Sequence, residues 1–289
     1  MRSLGLDVGG TNVKLVVLED GEVVERREAP TLSEEGPERT LRRLVELARA
    51  GGEVDTVGVA LPGLVDDDGT AVLLPNLHGD WTGLQLRAPL EAGLGRAVTL
   101  INDGHAFALA ESLLGAGRGA ANVIGIACGT GIGGGLVLDG RLHLGPAARA
   151  GEFGHHTVAE DGLPCECGNR GCLELYAGAR AIAAAAGAPT FDDALARARA
   201  GDEPAREALR RAGELIGVAL ANVLIFVCPD RAVVGGGVAA AGELLFEPLL
   251  GSVRDRARVA PLDRIAIVAA ELGPYAGAVG AALAGGRES

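Results

Sequence analysis

The sequence predicts an α/β protein of two domains, and three observations carry that prediction. A chain of 289 residues, 48% apolar with 46 glycines, suits two cores linked by tight turns better than one. A pattern of strand, glycine turn, strand, Asp-Gly turn and strand occurs twice, as LGLDVGGTNVKLVVLEDGEVV at the start and as NVIGIACGTGIGGGLVLDGRLHL from residue 122. Helical segments and further apolar strands follow each copy. Three elements repeated in one order imply a duplicated α/β unit, two domains around a cleft.

Residues 3–27 predict SLGLDVG and TNVKLVVLED as strands, with Asp20-Gly21 turning the second into EVVERRE. PERTLRRLVELARA at 37–50 places leucines on one face behind Pro37 and predicts a helix. VDTVGVALPG reads as a buried strand ending in a turn, VTLIND at 98–103 as another strand, and GHAFALAESLLGA as helical. After the second copy, helices are expected through 177–227, the last of them apolar all round near its end and so buried. RAVVGGGVA at 231–239 is a strand running into glycines, RIAIVAAELG a last core strand and AGAVGAALAG a closing helix.

The net charge of −12 argues against a nucleic-acid surface, which needs a basic face. MRSLGLDVGG lacks the apolar core of a signal peptide, and no run of 18 apolar residues occurs, so a cytoplasmic protein without a membrane partner is expected. In a reducing compartment clustered cysteines point to metal rather than disulfides. Cys128 and Cys228 stand alone in apolar surroundings and read as buried small hydrophobes.

Three glycine turns are candidate phosphate or nucleotide sites. GTGIGG at 129–134 satisfies G-x-G-x-x-G, but a strand rather than a helix follows, which disfavours a dinucleotide fold. A glycine turn between strands can still gather backbone N–H groups on an anion, here with Gly129, Thr130, Gly131 and Gly133. DVGGTN at 7–12 supplies Gly9, Gly10, Thr11 and Asn12 together with Asp7 and Lys14, the only lysine. A carboxylate beside phosphates is unfavourable unless a cation lies between, which points to Mg²⁺. Gly235, Gly236 and Gly237 end an apolar strand, where close backbone approach suits an adenine or ribose, or plain packing.

Asn102 and Asp103 follow a strand directly, the place where ligands gather in open α/β sheets, although helix N-capping gives the same pattern. If the chain binds ATP, Asp103 is the candidate general base for an alcohol hydroxyl. His105 is read as a solvated or packed side chain with no catalytic role. Cys165, Cys167 and Cys172 offer three thiolates on a glycine-turned loop, and His155 or His156 completes a structural Cys₃His zinc site. Glu152 and Glu174 flank that loop and read either as rigid acceptors for sugar hydroxyls or as two surface glutamates.

Together, DVGGTNVK, ALPG, NDGHAFALAE, GTGIGGG, GEFGHHTV, CECGNRGCLE and VVGGGVA resemble the ROK family of bacterial sugar kinases and repressors, over essentially the whole chain. The resemblance implies the actin-like, hexokinase-type ATPase fold, an RNase H-like duplication with an inserted structural zinc loop at 151–174. It implies a small domain at 1–112, rejoined by a C-terminal helix at about 275–289, and a large domain at 113–274. It makes Asp103 the base toward a sugar 6-hydroxyl, and Gly63, Asn76, Asn102, Glu152, His155 and Glu174 the sugar contacts. The zinc ligands become His155, Cys165, Cys167 and Cys172, with one His155 nitrogen on the metal and the other left for the sugar. ATP, Mg²⁺ and Zn²⁺ are the implied cofactors, and a homodimer or homotetramer the implied assembly. The reaction is phosphorylation of a hexose, glucose first, with fructose, mannose, N-acetylmannosamine and N-acetylglucosamine as alternatives. Repressors of the family carry a winged helix-turn-helix ahead of the DVGGT strand. That strand begins here at residue 3 and the charge is acidic, so an enzyme is expected over a regulator. Departures at Gly104-His105-Ala106-Phe107, at His156 and in NLHGDW bear on which sugar is preferred.

Overall fold

The computed structural model describes residues 1–286 and divides the chain into two compact units. Unit 1 comprises Met1–Gly115, Leu142–Ala150 and the segment from Leu272 onward; unit 2 comprises Ala116–Arg141 and Gly151–Glu271. Leu142–Ala150 therefore belongs to unit 1 although it lies inside the stretch expected as the second domain.

Unit 1 runs β1 (Arg2–Val8), β2 (Asn12–Glu19), β3 (Glu22–Pro30), α1 (Pro37–Ala50), β4 (Thr56–Leu61), β5 (Leu64–Val65), β6 (Ala71–Leu73), α2 (Arg87–Leu94), β7 (Val98–Asn102) and α3 (Asp103–Leu113). Its main sheet has the order β3-β2-β1-β4-β7, with β1–β2 and β2–β3 antiparallel and β1, β4 and β7 parallel. Strands buried on both faces read as unbroken apolar runs, as β1, β2 and β4 do; the edge strand β3 carries the charges. Asp20 and Gly21 both take positive φ, 51° and 87°, the backbone that a two-residue hairpin turn requires.

A closing helix, Ala276–Gly285, packs on β1, β4 and α3. It can do so because, Val279 and Leu283 apart, it is made of alanine and glycine, and because Gly5 and Gly58 face it. A Cβ on either would overlap the Ala278 or Ala281 carbonyl. The final residues of the expected 275–289 helix, 287–289, lie outside the described residues.

Unit 2 runs β8 (Val123–Cys128), β9 (Ile132–Leu138), β10 (Arg141–His143, of which Leu142 and His143 count to unit 1), α4 (Glu174–Ala177), α5 (Ala179–Ala185), α6 (Phe191–Arg199), α7 (Glu203–Val227), β11 (Arg231–Gly235), α8 (Glu243–Arg256) and β12 (Ala266–Ala269). Its sheet order, β10-β9-β8-β11-β12, reproduces that of unit 1 strand for strand, and β8, β11 and β12 are parallel. The duplication extends to the turn: Asp139 and Gly140 have φ of 50° and 72°. Leu209, Ile216 and Leu220 of α7 are fully buried in this unit's core. Cys128 is buried as expected, but Cys228 is exposed. It caps α7 in a left-handed backbone, and the apolar helix end before it, expected to be buried, is exposed at Ile225 and Phe226. Among the described residues no helix is long and apolar enough to cross a membrane.

Candidate functional site

Because β1, β4 and β7 are parallel, the residues that follow them gather on one edge of the unit 1 sheet. These are the DVGGTN turn, Gly63 and the Asn102-Asp103 pair. Asn102 does two jobs: its Oδ1 accepts the His105 N–H at 3.1 Å as the cap of α3, and its Nδ2 donates to the Gly63 carbonyl at 3.0 Å. Asp103 begins α3, with Oδ1 accepting the Gly104 N–H at 2.8 Å. Asn76 is exposed, with φ of 71°, and a Cβ on Gly10 would overlap its carbonyl.

The DVGGTN turn is held from the inside. The buried hydroxyls of Thr31 and Ser33 donate to the carbonyls of Gly9 and Gly10, at 2.7 and 3.1 Å. Ser33 Oγ also lies 2.9 Å from His78 Nδ1, in the NLHGDW loop. In a trans peptide C=O and N–H point oppositely, so the N–H groups of Gly10 and Thr11 are turned away from these hydroxyls. Asp7 sits opposite Lys14 in the ladder. A Cβ on Gly277 of the closing helix would lie 2.5 Å from Asp7 Oδ2. Although its surface is not fully closed, this crowding strips water, and burial pushes the carboxyl up to about 6 while Lys14 pulls it down. Asn12, expected at the nucleotide, instead donates from Nδ2 to Glu28 on β3 at 2.7 Å.

In unit 2 the GTGIGG turn follows β8 and the GGG turn follows the adjacent parallel β11, again on one edge. The Gly129 N–H donates to the Gly131 carbonyl at 2.8 Å, and the Ile132 N–H to Glu174 Oε2 at 2.9 Å. Among the described residues the turn's remaining N–H groups are those of Thr130 and Gly131. Gly133 is not in the turn; it lies within β9 opposite Ala127. Gly235 likewise ends β11 opposite Ala127. Gly236, with φ of 84°, packs where a Cβ would overlap the Cys128 backbone, so its glycine is explained by packing. Gly237 has nothing within 4 Å of its Cβ direction, which leaves it the member open to a ligand.

The cysteine loop brings four donors together. One ligand atom each from His155, Cys165, Cys167 and Cys172 lies within 4.8 Å of the others. Cys165 Sγ is 3.7 Å from His155 Nδ1, and Cys167 Sγ is 3.7 Å from Cys172 Sγ. Tetrahedral zinc with sulfur and nitrogen ligands spaces them roughly 3.5–3.8 Å apart, so the residues fit such an ion. Burial, followed by the neighbouring Cys165 and Cys167 thiols, pushes the Cys172 thiol up to about 12. A divalent cation would relieve that crowding of potential charges.

The structure also separates the two histidines. His156 turns away, Nδ1 lying 3.2 Å from the Phe153 carbonyl and its ring edge-on to Phe153 at 5.1 Å; desolvation lowers its pKa. His155 keeps Nδ1 on the sulfur cluster and points Nε2 toward Glu152 Oε2, 3.9 Å away. That gap is wider than a hydrogen bond and can be bridged by one hydroxyl.

The chain matches the ROK family over residues 3–285. The chain belongs to the ROK family. A ROK family glucokinase from Streptomyces griseus, solved in complex with glucose and AMPPNP, aligns with a TM-score of 0.85 and 32% identity over 98% of each chain. A glucokinase from Thermotoga maritima is 35% identical over 98% of this chain and 96% of its own length. An N-acetylgalactosamine kinase from Shewanella sp. is 35% identical over 83% of each. For a ROK chain, two features above escape sequence reasoning. Thr31 and Ser33 under the first turn and the Glu174–Ile132 contact depend on partners 22–42 residues away. No local pattern announces them. His105, by contrast, expected as solvated or packed, is packed, buried with Nε2 2.6 Å from the Ala150 carbonyl.

Proposed function

We propose that this chain is a sugar kinase that transfers the γ-phosphoryl group of ATP to a hexose 6-hydroxyl, with glucose as the preferred acceptor. What carries this reading is the likeness, over nearly the whole of both chains, to the glucokinase solved with glucose and AMPPNP. The donor set at the strand ends supports it.

Asp103 serves as general base, and Gly63, Asn76, Asn102, Glu152, His155 and Glu174 are the sugar contacts. The sugar O6 attacks the γ-phosphorus as its proton passes to the Asp103 carboxylate. The bond to the β–γ bridging oxygen breaks, and ADP leaves with that electron pair. One sugar hydroxyl accepting from His155 Nε2 and donating to Glu152 would fill the 3.9 Å gap between them. The N–H groups of Gly10, Thr11, Thr130 and Gly131 meet the phosphates, and Gly237 lies open to the nucleoside. Mg²⁺, when bound with the nucleotide, neutralises phosphate charge, and Asp7 is the residue that would hold it. Zn²⁺ on His155, Cys165, Cys167 and Cys172 would be closed to substrate and structural in role. A cytoplasmic homodimer or homotetramer is the form this reading expects.

The second reading changes only the acceptor, to an N-acetylhexosamine, supported by the Shewanella relative. An assay of sugar phosphate formation, run over glucose, fructose, mannose and the N-acetylhexosamines with ATP and polyphosphate as rival donors, decides between them. Glucose with ATP is expected to give the highest kcat/KM. Preference for an N-acetylhexosamine selects the second reading, and no sugar phosphate from ATP with any acceptor sinks both. Asp103→Asn is expected to lower kcat by about 10²–10⁴ with sugar binding retained.

A further inference from the structure

Glu174 has a task besides the sugar. Its Oε2 accepts the Ile132 N–H at 2.9 Å, and a Cβ on Gly131 would overlap that same oxygen. The chain that follows Glu174 continues along the turn. Gly178 lies so close that a Cβ there would be 2.9 Å from the Thr130 carbonyl, and the Ala179 N–H donates to the Gly129 carbonyl at 2.9 Å. Residues 174–179 thus grip the GTGIGG turn at its first, second and fourth members, Gly129, Thr130 and Ile132. On the other side of Glu174, the Leu173 N–H donates to the His156 carbonyl at 2.9 Å, Leu173 is fully buried, and Cys172 belongs to the Cys₃His cluster. The carboxylate therefore hangs from a short segment fixed at one end by the metal-ligand set and at the other by the turn itself.

We infer that Glu174 is the positioning residue of the nucleotide turn. By taking the Ile132 N–H it holds the turn in the shape that leaves the Thr130 and Gly131 N–H groups for an anion such as the triphosphate. This rests on the kinase reading above and adds to it that one side chain serves both substrates. The contact to Ile132 needs an oxygen acceptor at the right reach and not a charge, whereas a sugar hydroxyl donates best to an ionised carboxylate. The two tasks therefore separate by substitution.

The test titrates the full chain, its zinc content measured, with AMPPNP in the absence of sugar, and separately with glucose. Glu174→Ala is expected to weaken AMPPNP binding about tenfold, the size of one lost hydrogen bond. Glu174→Gln, whose amide oxygen can still accept, should bind AMPPNP within about twofold to threefold of wild type while its glucose affinity stays low. Should the alanine variant fail to fold, Glu174→Asp, one methylene too short to reach Ile132, is expected to show the same AMPPNP loss. Unchanged AMPPNP affinity in Ala or Asp overturns the inference and leaves the kinase reading intact. So does a loss in Gln equal to that in Ala. A wild-type chain that binds no AMPPNP overturns both together.

Discussion

The two glycine turns at the heads of the duplicated sheets start from the same topology and are held by opposite means. In unit 1 the DVGGTN turn rests on neutral hydroxyls, Thr31 and Ser33, and its carboxylate, Asp7, stands on the strand itself. In unit 2 the GTGIGG turn has no acid on its strand; a carboxylate from the helical segment, Glu174, binds the turn backbone directly. One acid is desolvated with a lysine opposite, the other is spent on an N–H. The difference teaches that duplication conserves where a turn falls, while its chemistry is set by whichever later segment packs beneath it.

The largest effect should come from removing the strand acid. Asp7→Asn is expected to lower kcat about 10²–10³-fold and, unusually, to stabilise the fold. Folding raises this carboxyl from 3.8 to about 6, so its ionised form is disfavoured in the native state. The corresponding stability is present at acid pH and lost as pH rises through 6. The variant should therefore match wild type near pH 4 and exceed it by roughly 1–3 kcal/mol at pH 8 in metal-free denaturant titrations. A destabilised Asn variant at pH 8 would show that Asp7 is paired rather than desolvated.

Next in size is removal of the metal set. Cys165→Ser, or chelation, should loosen only the unit 2 turn. Amide hydrogen exchange is expected to quicken about tenfold or more at 129–132 with little change at 9–12. Equal loosening of both turns would erase the contrast drawn between them.

Thr31→Val comes third. It deletes a hydroxyl and leaves the Gly9 carbonyl without that donor, which costs about 1–3 kcal/mol and should raise the KM for ATP several-fold with the sugar KM unmoved. Smallest is Lys14→Met. The Asp7 carboxyl loses the charge that lowers it, so the acid limb of the kcat/KM profile should move to higher pH by less than about one unit. A shift to lower pH would contradict the ladder pairing of Asp7 with Lys14.

Much of the fold was legible because its signals are local. Asp20-Gly21 and Asp139-Gly140 announce hairpins since both residues must take positive φ, and Cys165, Cys167 and Cys172 announce a metal loop by spacing alone. The choice between His155 and His156 was open in the bare residues and closed by packing, because only His156 is drawn off by Phe153. Cys228 reads as buried from its neighbours yet is exposed, since an apolar stretch at a helix end does not reveal where the covering layer stops. Gly236 and Gly237 look alike in the string VVGGGVA; the Cys128 backbone beside one and open space beside the other distinguish them.

By itself, then, the sequence determined the duplicated strand–turn–strand units, the cysteine cluster that could hold a metal and the strand-end position of Asp103, all of which arise from neighbours within a few residues. Only the tertiary structure decided what lies under each turn: Thr31 and Ser33 for one, Glu174 for the other, and the closing helix against Asp7. Hydrogen bonding and desolvation act through space over a few ångströms, and chain segments 22, 42 or more residues apart reach that distance only once the cores have packed.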